Sequence, residues 1–365
     1  MCILFAGGGT GGHVYPALAV ADELRRLRPD VRISFVGTRH RIESQLVPAR
    51  GYEFHAITVS GFRRSLSLEA LLAPVKMMVA LVQSVVLLRR VRPAVVVGTG
   101  GYVSGPPVAA AWMLGVPRLV QEQNSIPGMT TRLLSRIATE VHVSFAVTER
   151  YLGTATRLHL TGTPTRKGIG RVSRTEAASR LGLNAQQATV LVVGGSQGAR
   201  SLNDAILATL PALLDRSVQM IWATGPSDGR RVEEAVHGLL PSGDARVRIV
   251  PYIEQMEDAY AAADLAVARA GATTVAELLC AGLPAVLVPY PHAADDHQTE
   301  NARAVVEAGA GLMVKDAELC ERLAGELLGL LEDPQRRGTM AEHARAMAHP
   351  EAAQRLAEAV LHLAE

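Results

Sequence analysis

The sequence predicts an α/β protein built from two doubly wound, Rossmann-like domains, and three observations predict it. Short runs rich in Val, Ile and Leu alternate with longer stretches of helical period, the pattern of parallel βαβ units. Each half opens on the same device, a strand running into a glycine-rich turn and then a helix: ILFAGGGTGGH at 3–13 and VLVVGGSQGAR at 190–200. The chain of 365 residues, 48% hydrophobic, is too long for one ordinary domain of about 100–200 residues and too apolar for disorder.

In the first half, uninterrupted aliphatic runs predict strands near Cys2–Phe5, Ile33–Val36, Ala94–Val97, Arg118–Val120 and Val141–Val143. Such runs suit strands buried on both faces. Helical spacing predicts helices at Val14–Leu27, Leu66–Val91, Pro107–Leu114 and Met129–Ile137. In the second half, strands are expected at Val190–Val193, Met220–Ala223, Val247–Val250, Leu265–Ala268 and Ala285–Val288. Helices are expected there at Leu202–Leu214, Arg230–Leu239, Met256–Ala263, Thr274–Ala281, Thr299–Ala308 and Glu318–Leu331. Between the halves, TGTPTRKGIG at 161–170 concentrates Gly, Pro and Thr and reads as a hinge. The domains are therefore 1–165 and 166–349. Pro350 sets off a last helix, Glu351–Leu363, which is expected to join the first domain as residues 350–365. Sheets of this kind bind ligands outside the carboxyl ends of their strands, so the two domains are expected to face each other across a cleft.

Cys2, Cys280 and Cys320 are too few and too scattered for a disulfide framework or a CxxC metal site. The start, MCILFAGGG, lacks the charged and long apolar regions of a signal peptide, and a cytoplasmic protein is expected. The net charge of +2 hides an asymmetry. Residues 1–165 carry 18 Lys and Arg against 9 Asp and Glu, or +9, and residues 166–365 carry 19 against 26, or −7. A basic first half points to an anionic partner, nucleic acid or anionic membrane, or else to a dipolar protein with neither. Aromatic residues at 4% and the lack of a recognisable binding motif weigh against nucleic acid.

The first loop, GGGTGGH, places Thr10, Gly11, Gly12 and His13 between a strand and a helix. Glycine lets backbone N–H groups approach an oxyanion, and the helix N-terminus adds favourable potential. The loop reads as a phosphate or sugar cradle, against a tight turn with no ligand. No Lys follows as a Walker loop requires. Thr38 and Arg39 stand where a dinucleotide site would want Asp or Glu, which disfavours a nicotinamide cofactor. The second loop, GGSQGA, offers Ser196 and a helix N-terminus to another anion. In the third, VVVGTGGYVSGPP at 95–107, Gly98, Gly100 and Gly101 again follow a buried strand. Three such loops suggest two phosphorylated ligands.

The most specific stretch is ARAGATTVAELLCAGLPAVLVPYPHAADDHQTENA at 268–302. Glu277 sits one turn into the helix predicted there, facing the cleft, where a carboxylate can accept from two vicinal ribose hydroxyls. The competing reading makes it a helix-dipole partner. Gln298 and Asn301 head a later helix and are candidates to read sugar hydroxyls. His292, Asp295, Asp296 and His297 lack HxxxH or DxD spacing, so a solvated loop is expected and no metal.

The ordered set GGTGGH, GTGGYVSGP, EQN at 122–124, GTPTR at 162–166, GGSQGA and GATTVAE resembles the MurG family. These are GT-B glycosyltransferases that move N-acetylglucosamine (GlcNAc) from UDP-GlcNAc to lipid I in peptidoglycan synthesis. The likeness runs from residue 7 to residue 301. It implies inverting transfer to the muramoyl 4-hydroxyl, forming lipid II, without a cofactor. It also implies that Glu277 holds the ribose, the Ile253 backbone reads the uracil, and Ser196 with its loop and Arg166 hold the diphosphate. Asn124, Gln298 and the helix start Ala272, Thr273, Thr274, Val275 and Ala276 would face the donor, with Thr10, Gly11 and Gly12 approaching from the first domain. Thr99, Gly100, Gly101 and Tyr102 would receive the lipid diphosphate. His13 is the candidate base, Glu122 the alternative, and a hydrogen-bonding role for His13 stays open beside that. One departure stands out: Gln121 replaces a His that many relatives carry before EQN.

An acceptor in a membrane would explain the basic half. In the expected helix 66–91, Lys76, Gln83 and Arg90 form one polar stripe on an otherwise apolar surface, and Arg63, Arg64, Arg89, Arg90 and Arg92 flank it. Pro74, Lys76 and Gln83 spoil a transmembrane reading. Peripheral attachment to anionic lipid on the cytoplasmic face of the cell membrane is the expectation, against a helix buried all round. Partners implied by the resemblance are UDP-GlcNAc, lipid I and other cell-wall synthesis proteins. Two rival functions remain: a UDP-GlcNAc 2-epimerase of the same architecture and a non-catalytic nucleotide-sugar-binding subunit.

Overall fold

The computed structural model describes residues 1–59, 73–153, 157–240 and 246–365. The chain divides into two compact units, Met1–Thr165 with His349–Glu365, and Arg166–Ala348.

The first unit begins β1 (Cys2–Ala6), α1 (Gly11–Leu27), β2 (Arg32–Gly37), α2 (Glu43–Ala49) and β3 (Glu53–Ala56). It continues α3 (Ala73–Val91), β4 (Val95–Gly98), α4 (Gly105–Met113), β5 (Arg118–Glu122), α5 (Met129–Leu134), β6 (Glu140–Val143) and β7 (Arg157–Leu160). The described strands form one parallel sheet in the order β3-β2-β1-β4-β5-β6-β7. Ile3–Ala6 and Val95–Val97 are fully buried, which is why they read as unbroken aliphatic runs. Helix α1 forms because Val14, Ala17, Leu18, Ala21 and Leu24 fall on one face and pack against Ile3, Phe5 and Ile33. It starts at Gly11, not Val14, so Gly11, Gly12 and His13 belong to its first turn.

The second unit runs α6 (Arg174–Leu181), β8 (Thr189–Val193), α7 (Arg200–Leu214), β9 (Gln219–Ala223), α8 (Gly229–His237), β10 (Val247–Val250) and α9 (Met256–Ala262). Next come β11 (Leu265–Arg269), α10 (Ala272–Ala281), β12 (Ala285–Val288), α11 (His297–Glu307), β13 (Gly311–Met313), α12 (Leu319–Glu332) and α13 (Pro334–Met347). Its strands are again parallel, in the order β10-β9-β8-β11-β12-β13. Trp222, Leu202, Ile206, Leu210 and Leu323 centre its core. The chain ends in α14 (Ala352–Ala364), which belongs to the first unit: Leu356, Ala357 and Val360 pack into the core that holds Ile3 and Phe5.

Three strands, β3, β7 and β13, and three helices, α2, α6 and α13, escape the sequence patterns. All three strands lie at sheet edges, where one side of the backbone is unpaired and half-solvated residues such as EFHA and RLHL blur the apolar signal. Helix α7 begins at Arg200 and α10 at Ala272, each two residues before its expected start.

Helix α3 corrects the all-round burial alternative. Its inner stripe is Ala80, Ser84, Leu88 and Val91, with Ser84 Oγ donating to the Ala80 carbonyl at 2.7 Å. Val75, Met78, Val79, Val82 and Val86 are exposed. Gln83 is not a solvated polar position: its Oε1 accepts from the Thr58 amide at 2.7 Å. Residues 60–72, with Arg63, Arg64 and the helix start expected at Leu66, lie outside the described residues. No described helix is long and apolar enough to cross a membrane.

Candidate functional site

In the first unit, β1, β4 and β5 are neighbours, so the loops that leave their carboxyl ends meet. The glycine loop after β1 is tied down by a residue the sequence reading passes over. Glu43, almost fully buried, accepts from the Gly9 amide at 3.0 Å, the Thr38 amide at 3.1 Å and the Thr38 hydroxyl at 2.7 Å. Thr38, which speaks against a dinucleotide site, thus takes part in holding the loop. Helix α1 has no acidic residue in its first turn, and the Thr10 side chain does not cap it. Thr10 and Gly12 are exposed. The amides of Gly11 and Gly12 therefore open a helix whose dipole favours an anion.

His13, half-buried, is held by the other two loops. Its Nδ1 lies 3.0 Å from the Thr99 carbonyl and 3.2 Å from Gln123 Oε1. Both partners are acceptors, because Gln123 Nε2 donates to Thr99 O at 2.7 Å and to Gln121 Oε1. Nδ1 must carry a proton, so in the neutral ring the lone pair is on Nε2, the form a general base needs. The Thr99 hydroxyl donates to the His13 carbonyl at 3.0 Å. Thr99 is therefore committed to holding His13, not turned to an acceptor. Gly100 and Gly101 have φ of +100° and +72°, and a Cβ on Gly100 would stand 2.7 Å from His13 Nδ1. Only glycine lets this loop close over the imidazole.

Glu122 is 2% exposed and fully engaged. Oε1 accepts from the Asn124 amide at 3.0 Å and Asn124 Nδ2 at 3.1 Å, and Oε2 from the Gly128 amide at 3.3 Å. A carboxylate whose oxygens both shape its own loop is a positioning group. The geometry thus ranks it below His13 as a base and joins Asn124 to it. Gln121 is buried, and its Oε1 accepts from Gln123, which in turn orients His13. Gln121 is thus one more link in an amide relay. Tyr102 is half-exposed at the start of the next helical turn.

In the second unit, Glu277 is the sixth residue of α10, more than one turn in, and is 3% exposed. Tyr260 Oη donates to Glu277 Oε2 at 3.0 Å, and Arg166 Nε lies 3.4 Å from Oε1. Burial pushes the Glu277 carboxyl above the usual carboxylate range, with Arg166 and the Tyr260 hydroxyl pulling the other way. Burial and the adjacent carboxylate hold the Tyr260 hydroxyl well above its ordinary value, so it stays a donor. Arg166 also donates to the Glu254 carbonyl at 3.4 Å and to Tyr252 Oη at 3.2 Å. It brackets the Ile253 segment beside Glu277. Ile253 is buried between these two contacts.

Ser196 is exposed in a turn closed by Gly198 N donating to Gly195 O at 2.9 Å. The helix starts four residues later, so Ser196 is not its N-terminus. Gly271 caps α10 without a side chain, and the Ala272–Thr274 turn opens the helix. Thr273, Thr274 and Ala276 are half-exposed, whereas the Val275 side chain is buried. Gln298 Oε1 accepts from the Tyr290 amide at 2.9 Å. Asn301 is fully buried with Nδ2 donating to the Ala270 carbonyl at 3.1 Å, a packing role that removes it from the sugar readers. Asp295, Asp296, His292 and His297 form no ligand group among the described residues. Sequence reasoning missed Glu43, Gln123 and Tyr260 because each acts on another protein group, and no spacing rule marks that.

The glycosyltransferase family 28 N-terminal domain matches residues 3–143 and the family 28 C-terminal domain residues 189–356. The chain is 45% identical, over 100% of both sequences, to the Chlorobium limicola protein named UDP-N-acetylglucosamine–N-acetylmuramyl-(pentapeptide) pyrophosphoryl-undecaprenol N-acetylglucosamine transferase. Among solved structures, MurG of Acinetobacter baumannii superposes with a TM-score of 0.77 at 29% identity, over 99% of each chain. A UDP-N-acetylglucosamine 2-epimerase reaches 0.68 at 16% identity, over 99% of this chain and 94% of its own, which is a likeness of fold alone. With both domains matched and its whole length shared with these transferases, the chain belongs to the MurG family of GT-B glycosyltransferases.

Proposed function

We propose that this enzyme transfers GlcNAc from UDP-GlcNAc to the muramoyl 4-hydroxyl of lipid I, forming lipid II with inversion. The observation that carries the reading is the full-length identity of 45% to a relative whose name states that transfer. The local geometry supports roles for particular residues. The second unit, 166–348, takes the donor: Glu277 accepts from the ribose hydroxyls, Ile253 reads the uracil edge, and the Ser196 loop meets the diphosphate. Within that unit, Gln298 and the Ala272–Ala276 turn, Thr273 and Thr274 included, face the donor sugar, and within the first unit Asn124, Thr10, Gly11 and Gly12 offer further polar and backbone groups. The first unit takes the acceptor, with Gly100, Gly101 and Tyr102 near its diphosphate.

In the reaction, the acceptor oxygen attacks the anomeric carbon while the bond from that carbon to the UDP oxygen breaks. The acceptor proton passes to His13 Nε2, the nitrogen left with its lone pair by Thr99 and Gln123. The charge released on UDP is met by backbone amides and helix N-termini.

The exposed face of α3 supports peripheral membrane attachment on the side where lipid I resides. Val75, Met78, Val79, Val82 and Val86 are open, and Trp112 and Met113 at the end of α4 add to them. Arg89 and Arg90 close the same helix, suited to anionic headgroups. The test is an assay with UDP-GlcNAc and a soluble lipid I analogue, with other UDP-sugars as controls. Transfer from UDP-GlcNAc alone is expected. Epimerisation without acceptor would favour the 2-epimerase, and tight binding without turnover a non-catalytic subunit.

A further inference from the structure

The face of the first sheet that carries Leu119 changes character beyond β5. Register pairs Leu119 with Glu140 and Gln121 with His142, and then His142 with His159 of β7. Val141 and Val143 pack into the core on the opposite face, so Glu140 and His142 share the Leu119 face. One carboxylate oxygen serves both rings: Glu140 Oε2 lies 3.3 Å from His142 Nε2 and 3.9 Å from His159 Nε2. The two imidazoles stack with centroids 4.9 Å apart. The three ligand atoms all lie within 4.8 Å of one another.

We infer that Glu140, His142 and His159 form a binding site for a divalent transition-metal ion, with Zn2+ as the best fit. A tetrahedral ion with bonds of about 2.0–2.1 Å separates its ligand atoms by roughly 3.4 Å, so the 3.3 Å pair already fits, and the 3.9 Å pair and the two ring nitrogens, within 4.8 Å of each other, must close toward that spacing. His159, half-exposed on an edge strand, supplies it by rotation. The outer contact is present as well: His142 Nδ1 lies 2.7 Å from Thr161 Oγ1, which fixes the ring and aims Nε2 at Glu140. Two imidazoles and one carboxylate suit Zn2+, Co2+ or Ni2+, not Mg2+ or Ca2+. The second Glu140 oxygen stays with Arg157, 3.9 Å away and largely exposed, so the cation need not be displaced. The fourth position is open to water. The site ties β7 to β6 immediately before the 161–165 segment, one strand over from Gln121.

Chelator-stripped full-length protein is titrated with Co2+ and then Zn2+. One equivalent of Co2+ is expected to give the visible absorption of a four-coordinate site, displaced by Zn2+. His159→Ala, at an exposed position, and the near-isosteric Glu140→Gln should each weaken binding about 100-fold. Saturating Zn2+ should raise the Tm of the parent by about 5 °C and leave both variants unmoved. Absence of stoichiometric binding in the parent would show an ordinary hydrogen-bonded trio and overturn the inference. Unchanged affinity in both variants would overturn it too, placing the ion on others of the chain's 11 histidines.

Discussion

Gly100→Ala tests whether the position of His13 limits turnover, and Gly115→Ala supplies its control. Both glycines have positive φ, +100° and +70°, but a Cβ on Gly115 meets open space. A Cβ on Gly100 would lie 2.7 Å from His13 Nδ1 and 2.8 Å from Cε1, several tenths of an ångström inside ordinary contact. At Gly115 the left-handed backbone costs about 1–2 kcal/mol, offset by about 0.4–1 kcal/mol from a stiffer unfolded chain. The net, about 1 kcal/mol, lowers Tm by about 2–4 °C for a unit of this size and should leave kcat alone. Gly100→Ala adds about 1–3 kcal/mol of overpacking. It is relieved when the imidazole moves by about half an ångström to an ångström, away from both Thr99 and Gln123. Misplacement on that scale costs about 10- to 100-fold in kcat. The assay is steady-state GlcNAc transfer with a soluble lipid I analogue, with UDP affinity by calorimetry and Tm measured on the same samples. UDP affinity should be unchanged in both variants. If Gly100→Ala loses stability but no more kcat than Gly115→Ala, the argument that these loops hold the base in place is refuted.

Four further outcomes are expected. His13→Ala should lose most of kcat with UDP-GlcNAc still bound. Gln123→Met, which keeps size but removes the acceptor opposite Nδ1, should lower kcat about tenfold, and unchanged turnover would leave Gln123 a packing role only. Burial raises the Glu277 carboxyl in the free protein, so this group favours the fold below its unfolded pKa and loses that contribution as pH rises through the folded value. Ribose binding needs the ionised form. UDP affinity should therefore weaken as pH falls through the raised folded value, and Glu277→Gln should bind about 30-fold more weakly with a flat profile. Val82→Asp with Val86→Asp should abolish sedimentation with anionic liposomes at unchanged turnover of a soluble acceptor; equal retention of the double variant on the vesicles would argue against α3 as the docking face.

Much of the candidate site is legible in the chain because its backbone chemistry is local. GGGTGGH and GATTVAE announce a strand, a turn and a helix start, and the fold provides each. What lies across space is not legible. Glu43 looks like a surface acid at the start of a short helix, yet its carboxylate anchors the Gly9 amide 34 residues away. Glu122 has the residue type of a base, and only its three loop donors show that its oxygens are engaged. The resemblance assigns Arg166 to the diphosphate, and only the fold shows that it also meets Tyr252, Glu254 and Glu277.

The sequence by itself determined the α/β class, the paired strand-turn-helix openings, the charge split and the family, because buried central strands and glycine turns leave their mark in consecutive residues. The edge strands, the protonated nitrogen of His13, the exposed stripe of α3 and the Glu140, His142 and His159 trio were decided only by tertiary structure. Each depends on which residues the parallel register and the packed loops bring opposite one another, and hydrogen bonds of about 3 Å between distant positions have no signature in sequence order.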